Sequence, residues 1–168
     1  MKSLIHRMAQ SVLLFLLAGA MVASTLPARA QSANAGKVKE AMRAMKDEAA
    51  KLGEPKAEGT SLFFGTTRMN GNYTIVDGLQ TRFGCTATFF VKKGADFVRI
   101  STNVLDDGNR AVGTVLNPKG AAFAAIAKGE AYYGLVDILG SKYDAGYEPV
   151  KSTAGETVGV YYVGFLQP

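Results

Sequence analysis

The 168-residue sequence contains one histidine and one cysteine. His6 lies in a stretch that reads as an export signal, so the mature chain would have no histidine for a general base, a Ser-His-Asp or Cys-His triad, or a metal site. Cys85 has no second cysteine with which to form an intramolecular disulfide or a multi-cysteine metal site. These absences exclude most familiar hydrolase chemistry, and we expect neither a metal nor a cofactor.

Net charge is also small once the first thirty residues are set aside. The whole chain has 19 Lys and Arg against 14 Asp and Glu. Lys2, Arg7 and Arg29 lie within the first thirty residues and no acidic residue does, which leaves 16 basic and 14 acidic residues, a balance of +2. So small an excess gives no reason to expect nucleic acid or anionic lipid as a partner. The content of 48% hydrophobic and 20% charged residues excludes a disordered chain.

An apolar run near the N-terminus predicts a cleavable signal peptide. Two basic residues precede the run at 12–26, and Ala28 and Ala30 supply the small side chains that a signal peptidase reads. The run of 15 residues is shorter than the span of about 20 that a bilayer requires, which favours cleavage over an uncleaved membrane anchor. We expect residues 1–30 to be removed after Ala30, leaving residues 31–168 as one soluble domain, periplasmic or secreted, without stable membrane insertion.

The periodicity of the mature chain predicts an α+β domain. Apolar residues recur at spacings of three and four over 37–52, which is typical of an amphipathic helix, and Gly53 and Pro55 end it. The following pattern predicts short helices at 73–84 and 118–126 and strands at 62–64, 85–92, 97–104, 111–116, 131–139, 143–150 and 157–165. We expect a central antiparallel sheet of about five or six strands, covered by the long helix on one face and by an arch of loops and short helices over a pocket on the other.

Seven separate blocks along residues 36–166 carry a family resemblance. They are FGTTRMNGNY at 64–73, FGCTAT at 83–88, FVRISTNV at 97–104, RAVGT at 110–114, KGEAYYG at 128–134, YDAGYEP at 143–149 and GVYYVG at 159–164. These blocks closely resemble the extracytoplasmic Cache sensor domains of the fused Cache 3/Cache 2 type. The resemblance implies a PAS-like sensor module with a long N-terminal helix, a central antiparallel sheet and a pocket for a small molecule, commonly a short organic acid or related metabolite.

Domains of that family usually sit between two transmembrane helices of a chemoreceptor or histidine kinase. We expect this chain to depart from the pattern, with a cleavable leader in place of the first span and with neither a second span nor an output domain. We therefore expect signal transduction, for example in chemotaxis, through a separate membrane-bound chemoreceptor or sensor kinase. We also consider a homodimer formed through the N-terminal helix.

Arg99 is the first candidate for ligand binding. It lies mid-strand, where alternation would place Phe97, Arg99, Ser101 and Asn103 on one face. A guanidinium group matches a carboxylate with two charge-assisted hydrogen bonds, which suits a pocket for organic acids. The alternative is an exposed arginine paired with an acidic neighbour across the strand.

Tyr132, Tyr133, Tyr143 and Tyr147 lie close together in the sequence and form a second candidate group. Each has an apolar ring and a hydroxyl that needs a partner when buried, so together they could line a small polar pocket. Because adjacent strand residues face opposite ways, at most one of Tyr132 and Tyr133 should enter a given pocket. The alternative is the ordinary enrichment of tyrosine in strands.

Four further polar residues are weaker candidates for the ligand site. Asp137 and Lys142 flank a turn and could hold an amine and a carboxylate, although turn charges are usually solvated. Thr86 and Thr88 could supply hydroxyls, although threonine is common in strands. Cys85 is expected to pack as a small apolar residue.

These residues support three hypotheses about function. We favour a non-catalytic module that binds a small molecule and presents the loaded state to a membrane partner. The second hypothesis is an exported hydrolase that uses Asp137 and Glu148 as acid and base, since paired carboxylates can work without histidine. The third is a structural or interaction protein with a vestigial pocket.

Overall fold

The computed structural model describes residues 34–167. His6, the signal peptide over residues 1–30 and the cleavage expected after Ala30 lie outside the described residues. Helices in the described range are too short or too polar to cross a membrane.

Three helices and ten strands make up residues 34–167. In chain order they are α1 (Ala35–Ala50), β1 (Pro55–Glu58), β2 (Ser61–Phe64), β3 (Thr67–Arg68), α2 (Thr74–Phe83), β4 (Thr86–Lys93), β5 (Asp96–Thr102), β6 (Leu105–Asp106), β7 (Asn109–Arg110), α3 (Ala121–Ala127), β8 (Tyr132–Ile138), β9 (Ser141–Lys151) and β10 (Thr157–Leu166).

The main sheet contains five strands in the order β5-β4-β10-β9-β8, and every neighbouring pair is antiparallel. Short turns join β4 to β5, β8 to β9 and β9 to β10, as the glycine-containing turns of the sequence predicted. The fold is therefore the predicted α+β, PAS-like arrangement around an antiparallel sheet.

Helix α1 covers one face of this sheet, here called the helix face. It buries most of the apolar stripe that the sequence pattern predicted, namely Val38, Ala41, Met42, Met45 and Ala49. Leu52, which the predicted helix included, lies beyond its end and is 36% exposed. Full burial of a methionine contributes about 1.5–3 kcal/mol, so this stripe holds the helix in place. The outer face of α1 is charged, and the helix begins without a side-chain cap. Helix α2 packs beside α1 on the same face.

A small sheet of β1, β2 and β3 follows α1. Gly65, with φ +57°, passes so close to the end of α1 that a Cβ atom there would lie 2.2 Å from the carbonyl oxygen of Leu52. Asn70 ties the small sheet together, since its side chain accepts a hydrogen bond from the Leu62 amide and donates one to the Thr60 carbonyl. The small sheet fixes the path of the chain between α1 and α2.

The opposite face of the main sheet, here called the arch face, is covered by α3 and by residues 111–120, which we call the arch. The arch hydrogen-bonds to the outer edge of β5: the Arg99 amide donates to Thr114 (2.9 Å) and the Leu116 amide donates to Phe97 (2.9 Å). The prediction of a strand over 111–116 is wrong, because only an isolated bridge between Val98 and Val115 forms there. Gly113 has φ +88°, and this left-handed turn bends the chain out of an extended path.

A β-bulge in β5 decides which side chains reach the arch face. Arg99 pairs with Phe90, but Ser101 pairs with Phe89, so Ile100 is an extra residue in the ladder. Arg99 therefore shares the arch face with Phe90, while Ser101 shares the helix face with Phe89. The prediction that Arg99 and Ser101 lie on one face is wrong, because strict alternation does not hold across a bulge.

Candidate ligand cavity

A cavity of about 510 Å³ lies on the arch face, between the arch, the start of α3 and strand β8. Small-molecule sites have volumes of about 300–1,000 Å³, so its size is suitable for a ligand. Its lining consists of Arg99, Thr114, Val115, Leu116, Asn117, Gly120, Ala121, Ala122, Tyr132, Leu135, Val136, Asp137, Ile138, Leu139, Gly140 and Tyr147. Arg99, Tyr132, Asp137 and Tyr147 are the sequence candidates that the fold brings together here.

Arg99 is buried at this cavity, with 6% of its surface exposed. Its guanidinium carbon lies 5.1 Å from the centre of the Phe90 ring, a distance at which cation and ring attract each other. One nitrogen, Nη1, donates a hydrogen bond of 2.6 Å to the hydroxyl of Thr114 in the arch. The arch thus fixes Arg99 through both its backbone and its side chain.

No carboxylate within residues 34–167 forms a salt bridge with Arg99. Its Nε is buried and has no hydrogen-bond partner among those residues. Burial lowers the pKa of Arg99, while the neighbouring Tyr147, Tyr162 and Asp106 act to raise it. A buried cation of this kind is costly unless an anion compensates it.

Tyr147 and Tyr132 supply phenol rings next to Arg99. Tyr147 is 3% exposed, and its ring centre lies 4.9 Å from that of Tyr162 and 6.4 Å from that of Tyr132. Burial raises the pKa of Tyr147, although the positive charge of Arg99 acts to lower it. The hydroxyl of Tyr132 donates to the Leu135 carbonyl (3.1 Å). Both phenol hydroxyls can act as hydrogen-bond donors or acceptors.

Asp137 lines the cavity beside the β8–β9 turn, whereas its partner Lys142 is not among the lining residues. The carboxylate of Asp137 accepts a hydrogen bond from the Gly140 amide (3.0 Å) and lies 3.3 Å from Nζ of Lys142. Both side chains are more than half exposed. Tyr143 packs against the core of the arch face but does not line the cavity.

The remaining sequence candidates are engaged elsewhere. Ser101 donates a hydrogen bond of 2.5 Å to the Asn72 carbonyl on the helix face. Thr88 is fully buried against Thr102, with 2.6 Å between their hydroxyl oxygens. The hydroxyl of Thr86 bonds to Tyr162 and to the Gly164 carbonyl. None of these three residues lines the cavity.

Tyr133 points to the helix face, as the alternation with Tyr132 predicted. Its hydroxyl donates to Glu148, which also accepts from Lys46 of α1 (2.7 Å). Burial acts to raise the pKa of Glu148, but the hydrogen bonds from Lys46 and Tyr133 and the charge of Lys46 lower it overall. Burial also raises the pKa of Tyr133. This cluster connects α1 to the sheet.

Sequence reasoning missed the arch residues and Leu139. Thr114 and Leu116 line the cavity because the arch, which turns at Gly113, lies over the sheet. The sequence did contain a signal for this bend: Gly113 lies within the predicted strand, and a glycine inside a strand often marks an irregularity. Cys85 is buried as expected, and burial raises the pKa of its thiol to about 11.

Two other depressions in the described part of the chain are less suitable as ligand sites. One, of about 660 Å³, is open and is lined by Lys92, Lys128 and Lys151. The other, of about 450 Å³, lies along α1 and contains the Lys46–Glu148 ion pair. Over residues 34–167, no three His, Cys, Asp or Glu side chains are grouped closely enough to hold a metal ion.

Comparison with known proteins adds a match over almost the whole chain. The family model described as the Cache 3/Cache 2 fusion domain matches residues 19–168. No curated protein matches the chain significantly.

Proposed function

Because the chain belongs to the Cache 3/Cache 2 fusion family, whose domains are extracellular small-molecule sensing modules, we propose that it is an exported, non-catalytic protein that binds an organic acid on Arg99. The ligand would occupy the cavity between the arch and the main sheet. Its carboxylate would lie against the guanidinium group, and Tyr132 and Tyr147 would flank it.

The observation that carries this proposal is the buried guanidinium without an anion. Arg99 uses Nη1 for Thr114, while Nε has no partner in the described chain. A carboxylate would accept charge-assisted hydrogen bonds from such a group and would compensate its charge. In a site shielded from water, each of these bonds is worth about 1.5–3 kcal/mol.

A sensing role without catalysis agrees with the Cache family, whose domains are sensory modules. The geometry gives the carboxylate-hydrolase alternative little support. Asp137 pairs with Lys142 across the β8–β9 hairpin, and Glu148 lies six residues further along β9, about 20 Å away. Catalytic carboxylate pairs of glycosidases are separated by about 5–9.5 Å, so these two would not act on one bond.

Cache domains typically sit in membrane sensors. Our proposal places the mature protein, with its leader removed, outside the cytoplasm, where the loaded state would be recognised by a membrane-bound chemoreceptor or sensor kinase. The arch is the element best placed to report occupancy, because it contacts both the cavity and the outer edge of the sheet.

The proposal is tested by thermal denaturation of the purified full-length chain with and without a panel of carboxylates, amino acids and amines. A ligand at 100 times its dissociation constant stabilises the folded protein by about 2.7 kcal/mol. We expect carboxylates to raise the melting temperature of the original protein. Arg99→Gln should remove this shift.

Arg82→Gln is the matched control, because Arg82 is an exposed arginine on α2 outside the cavity. It should leave the carboxylate-induced shift unchanged. Circular dichroism shows whether Arg99→Gln is folded. Thr114→Val is a second variant, which removes the hydrogen-bond acceptor of Nη1. We expect carboxylates to raise its melting temperature less than that of the original protein. The proposal would be contradicted if carboxylates still raised the melting temperature of folded Arg99→Gln, or if no carboxylate of the panel raised that of the original protein.

A further inference from the structure

The lining of the cavity combines polar side chains, which include Asn117 and Asp137 as well as Arg99, with a set of apolar walls. Thr114 and Tyr147 supply further polar groups. The apolar walls include the buried side chains of Leu116, Ala122 and Ile138, together with half-buried Val136 and exposed Val115 and Leu139. A ligand consisting only of polar groups would leave these walls without complementary contacts.

The cavity lies beside strand β8. Its lining follows β8 from Tyr132 to Ile138, a strand of seven residues and about 20 Å. A small acid such as acetate would fill only the part next to Arg99. The rest of the cavity of about 510 Å³ leaves room for a longer aliphatic chain beside β8.

Charge restricts the ligand further. Arg99 is the only cation among the lining residues, and Asp137 is the only carboxylate. Asp137 is already engaged by the Gly140 amide and by Lys142. Within the described part of the chain, the cavity therefore offers neither a second cation for a dicarboxylate nor an unengaged carboxylate for an amino acid's ammonium group.

Leu139 adds an independent observation at the mouth of the cavity. It occupies the β8–β9 turn with φ +50°, a left-handed conformation that leucine rarely adopts, and 52% of its surface is exposed. Asparagine or glycine fits such a turn better. A strained, exposed leucine at a cavity mouth points to a use for its side chain other than stability.

From these observations we propose that the ligand is a monocarboxylate with a linear aliphatic tail, its carboxylate on Arg99 and its tail along β8 under Leu116, Val136 and Leu139. This inference rests on the proposed function, since it specifies the chemical class of acid that the same cavity binds. Each methylene group that leaves water contributes to the affinity until the tail reaches the open mouth.

Isothermal titration of the full-length chain with acetate, butanoate, hexanoate and octanoate tests the inference. We expect the affinity to rise by about fourfold for each methylene that becomes fully buried. The heat capacity change should become more negative along the series. Succinate and alanine should bind more weakly than butanoate.

Leu139→Asn separates a role in binding from a role in stability. It should lower the affinity for octanoate several-fold, leave acetate binding unchanged and raise the melting temperature, because asparagine tolerates the left-handed turn. Leu166→Asn is the control, since Leu166 is 60% exposed and lies outside the cavity lining. It should change none of these affinities.

The outcomes distinguish the two proposals. If carboxylates bind in an Arg99-dependent way but chain length has no effect, the aliphatic tail is wrong and the proposed function stands. If 1-hexanol binds as tightly as hexanoate, the carboxylate contact is wrong. If no acid of the series binds, both proposals fail.

Discussion

At the scale of single residues, two arginines of this protein have opposite surroundings. Arg110 forms two hydrogen bonds with Asp77 (2.8 and 2.9 Å) and lies over the Tyr73 ring at 4.1 Å. Arg99 has a comparable aromatic neighbour but forms no salt bridge with a carboxylate of the described chain. The first arginine is compensated within the fold by Asp77, whereas we propose that the second binds the carboxylate of a ligand.

This contrast leads to a prediction about stability in the absence of ligand. Arg99→Met keeps the length of the side chain and removes a buried, uncompensated charge, so we expect it to increase the free energy of unfolding by about 1 kcal/mol or more. Arg110→Met should instead decrease it by about 1 kcal/mol. Urea denaturation of the three proteins without added ligand measures both effects. Destabilisation by Arg99→Met would show that Arg99 is a structural residue.

The candidate site could be predicted from the sequence only in part. Arg99 was identifiable as a cation inside an apolar strand, and alternation correctly separated Tyr132 from Tyr133. Ser101 was misplaced because a bulge is decided by pairing between two strands, here at Phe89 and Phe90, and not by the pattern within either one. Thr114 and Leu139 were missed because their positions depend on turns that bring distant segments together.

At the scale of elements, regular segments were predictable and irregular ones were not. Helix α1 has a periodic apolar pattern, and strands β4, β5, β8, β9 and β10 are strand-forming runs bounded by turn residues; all six predicted elements form. The arch has no such pattern, since its conformation depends on backbone hydrogen bonds to the edge of β5. The arch, which covers the cavity, thus has a weaker sequence pattern than the regular helix and strands around it.

The close approach of Gly65 to the end of α1 gives a prediction at this scale. A Cβ atom at Gly65 would lie 2.2 Å from the Leu52 carbonyl oxygen, and φ is +57°. We expect Gly65→Ala to lower the free energy of unfolding by about 2–3 kcal/mol, because it adds a clash with backbone to the cost of the left-handed conformation.

Gly59→Ala provides the matched control for this prediction. Gly59 has nearly the same φ, +59°, but nothing lies within 4 Å of a Cβ atom built there. Gly59→Ala should lower the free energy of unfolding only by the cost of the left-handed backbone conformation, about 1 kcal/mol. Equal losses for the two variants in chemical denaturation would mean that the contact between Gly65 and α1 is unimportant.

At the scale of the whole molecule, the sheet separates the larger hydrophobic core from the candidate cavity. The helix face carries the larger hydrophobic core and the Lys46–Glu148–Tyr133 cluster, which joins α1 to β8 and β9. The arch face carries the cavity and Arg99. Changes on the helix face should therefore alter stability without altering ligand affinity.

The pH dependence of unfolding tests this separation. Because the pKa of Glu148 is lower in the folded protein, its contribution is present above its unfolded pKa, about 4.3, and is lost as the pH falls through the folded value. Glu148→Gln should lower stability by about 1 kcal/mol at pH 7, and the difference should shrink in acid. Glu40→Gln, on the exposed face of α1, controls for the loss of one negative charge. A changed carboxylate affinity in Glu148→Gln would contradict the separation of the two faces.

The most direct test of the account is a crystal structure of the full-length chain with the carboxylate of the series that binds best. We expect the carboxylate oxygens about 2.7–2.9 Å from the guanidinium nitrogens of Arg99, with the remainder of the ligand extending along β8 beneath the arch. A ligand in the groove of Lys92, Lys128 and Lys151 with Arg99 unengaged, or a cavity filled by the aliphatic side chains of the arch, would contradict the account.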